Sequence, residues 1–363
     1  MGKIQVSLKK RIDQSYEISL NTAYLKRLIV DLKKNKWGNK YALICDAKVR
    51  KLYGNDLAEK LNKAGIKVEV FSFQNGEKFK NLKTVERLLG AMSKSEFFRD
   101  DAVIALGGGV TGDIAGFVAS IYMRGIPYIQ IPTTLLAMVD SSVGGKTGVD
   151  TSYGKNLIGT FTQPEKVYIN VNFLKTLPKK QMLNGVGEAI KYGVIADKKV
   201  LGLLRRNKEK IMNLNVRTLE RLISMCIKIK ARIVEIDEKE SEVRKILNYG
   251  HTFGHAIEKI SRYKIEHGEA ITIGMCLINT IAVNKKWLKP KKAEKIKATI
   301  KMYGLPTKYE KLKPANKLIA ATKLDKKVKD GKILYIVPYK IGRVLLTDKI
   351  TNRDIIKACK KHS

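Results

Sequence analysis

Two periods of hydrophobicity divide this chain. Up to about residue 170, short apolar runs alternate with stretches whose apolar residues recur every three to four positions. Tyr41–Asp46, Val68–Phe73, Ala102–Leu106 and Tyr128–Pro132 have the length and apolar content of buried strands, while 49–64 and 85–95 carry helical spacing. Strand and helix in alternation predict a parallel sheet covered by helices. Beyond 170 the period is helical, over 181–194, 216–236, 251–260, 270–283 and 292–302. One exception, Lys332–Pro338 followed by Arg343–Leu346, reads as a β-hairpin. The pattern thus predicts an α/β domain over residues 1–170 and a mainly α-helical domain over 171–363. With no repeat or low-complexity linker between them, extensive contact is expected, and a cleft is the natural place for chemistry.

Composition narrows this picture more than it extends it. A chain of 363 residues is too long for one ordinary core and suits two domains packed together. No run approaches the ~20 apolar residues of a membrane span, and the basic start MGKIQVSLKK is followed by no apolar signal core, so a cytoplasmic, non-membrane protein is expected. Cys45, Cys226, Cys276 and Cys359 lie far apart and form no CxxC pair, which argues for reduced thiols and against a zinc knuckle or disulfide framework. The net charge of +37 raises nucleic acid as a partner, yet the basic residues are spread along the chain, as in the polar side of 291–301. There is no basic arm, zinc-finger spacing or aromatic-interleaved basic motif, so no specific nucleic-acid partner is expected.

The first chemical motif follows the third apolar run. Gly107, Gly108 and Gly109 form a triple-glycine turn that leads into Val110, Gly112 and an apolar helix expected to start near Asp113. Glycines let a backbone approach a pyrophosphate, and a helix start offers free N–H groups and a positive dipole end. The match to GxGxxG lies far from the N-terminus, and no acidic residue stands about 20 positions later, so a tight turn without ligand remains open. Asp46, at the end of the first apolar run, is a candidate for ribose hydroxyls and equally for a helix N-cap. The segment 142–147 resembles the end of a P-loop, but Asp140 stands where that motif requires glycine, which excludes it as a triphosphate site. Lys146, on a glycine turn, can still hold a phosphate as a point charge.

Three of the four histidines, His251, His255 and His267, fall in one short window. His251 and His255 share a helical face at the spacing zinc hydrolases use, but the glutamate of HExxH is missing, which disfavours a metalloprotease. Helix-capping or core histidines remain an alternative. Glu188, following glycines at 185 and 187 that read as a turn, could complete a two-histidine, one-carboxylate shell with a position open for substrate.

Taken together, these segments resemble the 3-dehydroquinate synthase family over nearly the whole chain. The resemblance is carried by 107–120, Tyr122 to Pro127, 130–148, 154–159, 188–191, 237–240 and 247–258, in the family's order. It implies a Rossmann-like NAD-binding domain followed by a helical metal- and substrate-binding domain. It further implies Glu188, His251 and His267 as ligands of a divalent metal, zinc foremost, with cobalt or iron tolerated. His255 would not be a ligand but would lie by the phosphate and the reacting centre. NAD would be held by Asp46, Lys48, Glu77, Lys80, Gly108, Gly109, Val110, Asp113, Thr133, Thr134, Lys155, Phe173, Thr176 and Asn184. Substrate contacts carried over are Arg124, Asp140, Lys146, Asn156, Lys191, Lys230, Arg244, Asn248, His255 and a lysine near 326, Lys326. Arg124 would reach the neighbouring subunit's site, which implies a homodimer. Met138, Asp150 and Gly187 depart from the family's usual residues, and none of them removes an ionisable group.

The reaction so implied converts 3-deoxy-D-arabino-heptulosonate 7-phosphate to 3-dehydroquinate and phosphate. It proceeds by transient oxidation with NAD, β-elimination of phosphate, re-reduction, ring opening and aldol closure, with Glu240, His255 and Lys146 as the catalytic set. Sister cyclases acting on sedoheptulose 7-phosphate or glucose 6-phosphate have no substrate carboxylate to hold, and the retained pair Lys230 and Arg244 speaks for the sugar acid. A metal-dependent polyol or glycerol-phosphate dehydrogenase shares the general plan but would release NADH.

Overall fold

A computed structural model of the chain describes residues 13–312, 314–323, 328–329 and 332–362. Six strands form one parallel sheet: β1 (Glu17–Leu20), β2 (Tyr41–Asp46), β3 (Val68–Phe73), β4 (Ala102–Gly107), β5 (Tyr128–Pro132) and β8 (Lys166–Ile169), in the order β1-β8-β5-β4-β2-β3. The inner strands β2 and β4 are buried along almost their whole length, which is why they read as continuous apolar runs. Both edge strands are less covered: no residue of β1 is fully buried, and β3 is only partly buried for most of its length. β1 and β8, four residues each, had too little pattern to be read in advance. A separate antiparallel pair, β6 (Lys146–Thr151) and β7 (Gly154–Phe161), rises between β5 and β8.

Helices cover the sheet on both faces: α1 (Tyr24–Asn35), α2 (Asn55–Lys63), α3 (Leu82–Lys94) and α4 (Gly109–Ile121). After β8 the chain is mainly helical: α5 (Lys179–Ile195), α6 (Lys198–Arg206), α7 (Val216–Ile236), α8 (His251–Ile260), α9 (His267–Asn284), α10 (Pro290–Met302), α11 (Ala315–Lys323) and α12 (Asn352–His362). The hairpin pairs Tyr335–Lys340 with Arg343–Thr347, so its first strand begins three residues later than the apolar run. Lys332–Ile333 pairs instead with Val328–Lys329.

The two halves share a core. One buried cluster joins Leu43, Ile104 and Ile131 on one face of the sheet to Ile190, Ile223 and Ile278 of the helical region. A smaller cluster on the other face, with Phe71, Phe97 and Phe117, stays within the first half. No helix among the described residues is long and apolar enough to cross a membrane.

Topology places the glycine turn. From β2 the chain moves outward to β3, then returns to the other side of β2 as β4, so winding reverses between β2 and β4. Open α/β sheets bind ligands at such a switch point, outside the carboxyl ends of the strands. There Asp46 ends β2 and Gly107 ends β4.

Candidate active site

α4 begins at Gly109, four residues earlier than the apolar pattern implied, because the glycines themselves enter the helix. Gly108 is the N-cap and supplies no side chain to occupy the first-turn N–H groups. Thr134 crowds Gly108 from above: a Cβ at 108 would stand 3.0 Å from its methyl group. Thr133 N–H donates to the Gly107 carbonyl at 2.8 Å and ties β5 to the turn. Such a bare helix start at a switch point fits a pyrophosphate. Val110 lies in the first turn and Asp113 in the second, where it pairs with Lys80 at 2.5 Å.

Asp46 caps the short helical turn after β2, accepting from the N–H groups of Lys48 at 2.9 Å and Val49 at 3.0 Å. The capping alternative therefore describes its contacts here, and Lys48 beside it is exposed. Lys80 is buried and also hydrogen-bonds Asn156; burial opposes its charge, but Asp113 and Glu77 hold its pKa above the usual value. Asn156 stands at φ +52°, and its N–H donates to Asp150 at 2.8 Å, a contact that the family's usual asparagine could accept as well, so the structure does not explain this substitution. Lys155 bridges Glu77 and Glu258, 3.2 Å from each. Thr176 and Phe173 sit farther along this wall, where the Tyr53 hydroxyl meets Thr176 Oγ1 at 2.5 Å and its ring packs edge-on to Phe173 at 4.8 Å.

The opposite wall is built at helix starts. His251 is the first residue of α8, after Gly250 at φ +80°, and His267 is the first of α9. α8 and α9 pack closely at glycine: a Cβ at Gly274 would overlap the Gly250 carbonyl, and one at Gly254 would overlap the Ile271 side chain, so their absence brings the two helices together beside Glu188. Glu188 lies in the middle of α5, which is continuous from Lys179 to Ile195. The expected glycine turn before it is therefore corrected. Gly185 and Gly187 stay helical and serve close packing, against Leu135 and Gly268 respectively. Asn184, one turn before Glu188, accepts from Gly268 N–H at 3.0 Å and fixes the start of α9 against α5.

Glu188 Oε1 lies 3.2 Å from His267 Nε2 and 3.4 Å from His251 Nε2. Ligands held about 2.0–2.1 Å from one ion at tetrahedral angles stand about 3.3 Å apart, which both distances from Glu188 match, and all three donors lie within 4.8 Å of one another, so the group could hold a zinc-like ion. His251 Nδ1 donates to the Tyr249 carbonyl at 3.1 Å, which leaves Nε2 as the free lone pair. Burial pushes the His251 pKa down to about 4, against the attraction of Glu188. For His267 burial acts the same way, but hydrogen bonds to Glu188 and Glu258 outweigh it and carry the value up to about 10. His255 stacks edge-on to His251 with ring centres 5.3 Å apart. The donors of His255, Glu258 and His267 lie within 4.8 Å of one another, so spacing alone does not separate ligand from neighbour. The fourth histidine, His362, is taken up in packing, bonded to Thr280 and Thr307.

Between the walls is a floor of paired charge. Lys191, one turn after Glu188, contacts it and also Asp140 at 2.8 Å. Lys230 of α7 reaches the same Asp140 carboxylate and its carbonyl, at 2.6 Å to the latter. Both lysines are buried. Asp237 accepts from the N–H groups of Ser241 at 2.8 Å, Glu242 at 2.7 Å and Arg244 at 3.0 Å, and so shapes the loop after α7. In that loop Glu240 stands at φ +60°, pairs with Lys146 and accepts from Asn248 Nδ2 at 2.5 Å. Lys146 follows Gly144 and Gly145, both at positive φ, and opens β6. Arg244 is buried and donates to the carbonyls of Gly144, at 2.9 Å, and Glu238.

One expected member stands apart. Arg124 is exposed at φ +69°, beyond the far end of α4, which is about 20 Å long, so it lies away from the glycine turn of its own chain. Lys326 lies outside the described residues.

Fold and site together define the class: a parallel α/β sheet joined to a helical region, with a bare helix start at the switch point and a Glu–His–His group that could hold a metal ion. Solved structures share this plan. A 2-epi-5-epi-valiolone synthase from Streptomyces hygroscopicus subsp. jinggangensis 5008, with NAD+ and Zn2+ bound, superposes at TM-score 0.89 with 27% identity over 98% of each chain. A 2-deoxy-scyllo-inosose synthase complexed with carbaglucose-6-phosphate, NAD+ and Co2+ gives 0.85 and 26% over 95% of this chain and 96% of that one. A probable glycerol dehydrogenase from Sinorhizobium meliloti 1021, at 0.68 and 15% over 95% of this chain and 96% of that one, shares the fold.

Family models narrow the class. One described as 3-dehydroquinate synthase N-terminal matches residues 70–184, and one described as 3-dehydroquinate synthase C-terminal matches 185–328. Relatives named 3-dehydroquinate synthase are 44% identical in Desulforamulus reducens, over 98% of this chain and 99% of the relative, and 42% identical in Caldanaerobacter subterraneus subsp. tengcongensis, over 99% and 100%. The chain belongs to the 3-dehydroquinate synthase family.

Proposed function

We propose that the cleft converts 3-deoxy-D-arabino-heptulosonate 7-phosphate to 3-dehydroquinate and phosphate, as its family membership implies. The observation that carries the reading is the three-donor cluster of Glu188, His251 and His267 beside a floor of buried lysines, opposite a bare helix start. Bound NAD would accept and return a hydride, and a divalent ion held by the cluster would polarise substrate oxygens as a Lewis acid. Glu188, His251 and His267 are the proposed ligands. Asp46, Lys48, Glu77, Lys80, Gly108, Gly109, Val110, Asp113, Thr133, Thr134, Lys155, Phe173, Thr176 and Asn184 line the proposed cofactor side.

The remaining work falls to the chain's own charges. Lys146, Lys191, Asn156 and Asn248 hold the phosphate, while Lys230 and Arg244 pair with the substrate carboxylate through charge-assisted hydrogen bonds. Asp140, already holding both buried lysines, positions them. Glu240 takes the proton lost during elimination. Its contacts with Lys146 and Asn248 support this, because they put the proton acceptor next to groups that hold the leaving phosphate. His255 serves as a further acid–base group by the reacting centre. The exposed Arg124 completes the phosphate site of a partner subunit in a homodimer, and the enzyme works in the cytoplasm.

The test mixes protein, catalytic NAD and Zn2+ with the sugar-acid phosphate, and sedoheptulose 7-phosphate in parallel. Equal yields of phosphate and dehydroquinate without accumulating NADH are expected. Turnover of sedoheptulose 7-phosphate alone would move the protein to the sister cyclases, and steady NADH would make it a dehydrogenase.

A further inference from the structure

Glu258 lies outside the ligand, cofactor and substrate sets, yet it is placed between two of them. It sits in the second turn of α8, seven residues after His251, and its side chain is 4% exposed. Its Oε1 faces His267 Nδ1 at 3.5 Å, on the side of the ring opposite to Nε2, which points at Glu188. The same oxygen accepts from Lys155 Nζ at 3.2 Å, and Lys155 lies 3.2 Å from Glu77 on the cofactor wall. The second oxygen, Oε2, is buried without a hydrogen-bond partner. A carboxylate that gives up water in this way and leaves one oxygen unmatched is costly to keep.

We infer that Glu258 is the positioning residue of the metal centre: it orients His267 from behind and ties it, through Lys155 and Glu77, to the cofactor wall. The inference rests on the proposed ligand role of His267 and cofactor role of Lys155. Its physical basis is general. A ligating imidazole whose outer N–H is held by a carboxylate has its tautomer and ring plane set, and its inner nitrogen made a stronger donor. Sharing one carboxylate oxygen between the neutral ligating ring and the Lys155 ammonium means that ordering either group orders the other. Metal and NAD should therefore bind with positive coupling, and by linkage the coupling must be reciprocal.

Binding measurements on the full-length protein test this without turnover. Zn2+ affinity is read by competition with a chromophoric chelator, NAD affinity by equilibrium dialysis with and without Zn2+, and ligand geometry by the visible absorption of the Co2+-loaded protein. In E258A the Zn2+ dissociation constant should rise about 10- to 100-fold. E258Q, which keeps the volume and one acceptor oxygen, should fall between E258A and the native protein. Co2+ bands should shift in both. Zn2+ should tighten NAD binding about fivefold or more in the native protein, and this gain should vanish in both variants. Native Zn2+ affinity and an unchanged Co2+ spectrum in a folded E258A would overturn the positioning role; should E258A fail to fold, the same result in E258Q does so. NAD affinity indifferent to Zn2+ in the native protein would overturn the coupling. A native protein that takes up no Zn2+ fails the metal reading itself, which separates that failure from this one.

Discussion

Lysine is used in two opposite ways by this protein, and the contrast between the cleft floor and α10 separates working charge from bulk charge. On α10 the lysines line a helix with exposed polar positions, and they help make the net charge +37. Their carbon stems lie on the surface while the ammonium groups stay in water, so each is energetically almost silent. In the floor, Lys191 and Lys230 are buried against Glu188 and Asp140. The lesson is that a high net charge says little about where an anion binds. A lysine removed from water and paired with a carboxylate is poised to exchange part of that pairing for substrate phosphate or carboxylate.

Breaking the floor at its metal edge should have the largest effect. His251→Ala, or removal of metal by a chelator, should lower kcat by about three orders of magnitude or more, since a Lewis acid contributes several kcal/mol to the transition state. Metal analysis of the purified variant and recovery of the native protein on adding back Zn2+ check this.

Lys191→Ala comes next. It strips a buried partner from Glu188 and Asp140 together, and leaving buried charge uncompensated costs about 3–5 kcal/mol in stability. Chemical denaturation should show that loss, along with a kcat/KM that falls by two orders of magnitude or so, roughly 3 kcal/mol.

Arg244→Ala sharpens the comparison, because it tests recognition of one anion and not charge in general. Charge-assisted hydrogen bonds contribute about 1.5–3 kcal/mol, so kcat/KM for the heptulosonate phosphate should drop about 10- to 100-fold. Activity against an analogue lacking the carboxylate should fall less, by the part that comes from freeing the Gly144 and Glu238 carbonyls, and equal losses on both substrates would break the assignment of this arginine.

The smallest effect is expected on α10. Changing Lys292, Lys295 and Lys301 together to glutamine should leave kcat/KM within about twofold and stability within about 0.5 kcal/mol per site. A large loss of activity in that triple variant would collapse the distinction between the two regions.

Much of the architecture was legible in advance where one period dominated a long stretch. α7 and α8 begin and end where their apolar spacing predicts, and α7 is closed at its start by Asn215, whose side chain accepts from Thr218 N–H. The buried strands β2, β4 and β5 were equally clear, as continuous apolar runs. The edge strand β1 and the pair β6–β7 carry no such signature, since their burial is partial and their pattern short or glycine-rich. Glycine misled most at 185 and 187: the same residue marks a turn in one setting and a close helix contact in another, and only the neighbours Leu135 and Gly268 distinguish them.

What the sequence by itself determined was the kinds of group available and their order. These were a triple glycine after a buried strand, three histidines in one window, and a carboxylate directly after the second of two glycines, within motifs that resemble one family. Such information is local, because it depends on residue type and on spacing along a single element. What only the tertiary structure decided was which groups meet. Glu188 and His267 are 79 residues apart and become neighbours because α8, α9 and α5 pack closely at glycines. Lys191 and Lys230 come from two helices and share one carboxylate from a third segment. Glu258, at the end of a motif, stands between a histidine and a lysine 103 positions away. Contacts at that separation depend on packing between elements, which no period within an element encodes.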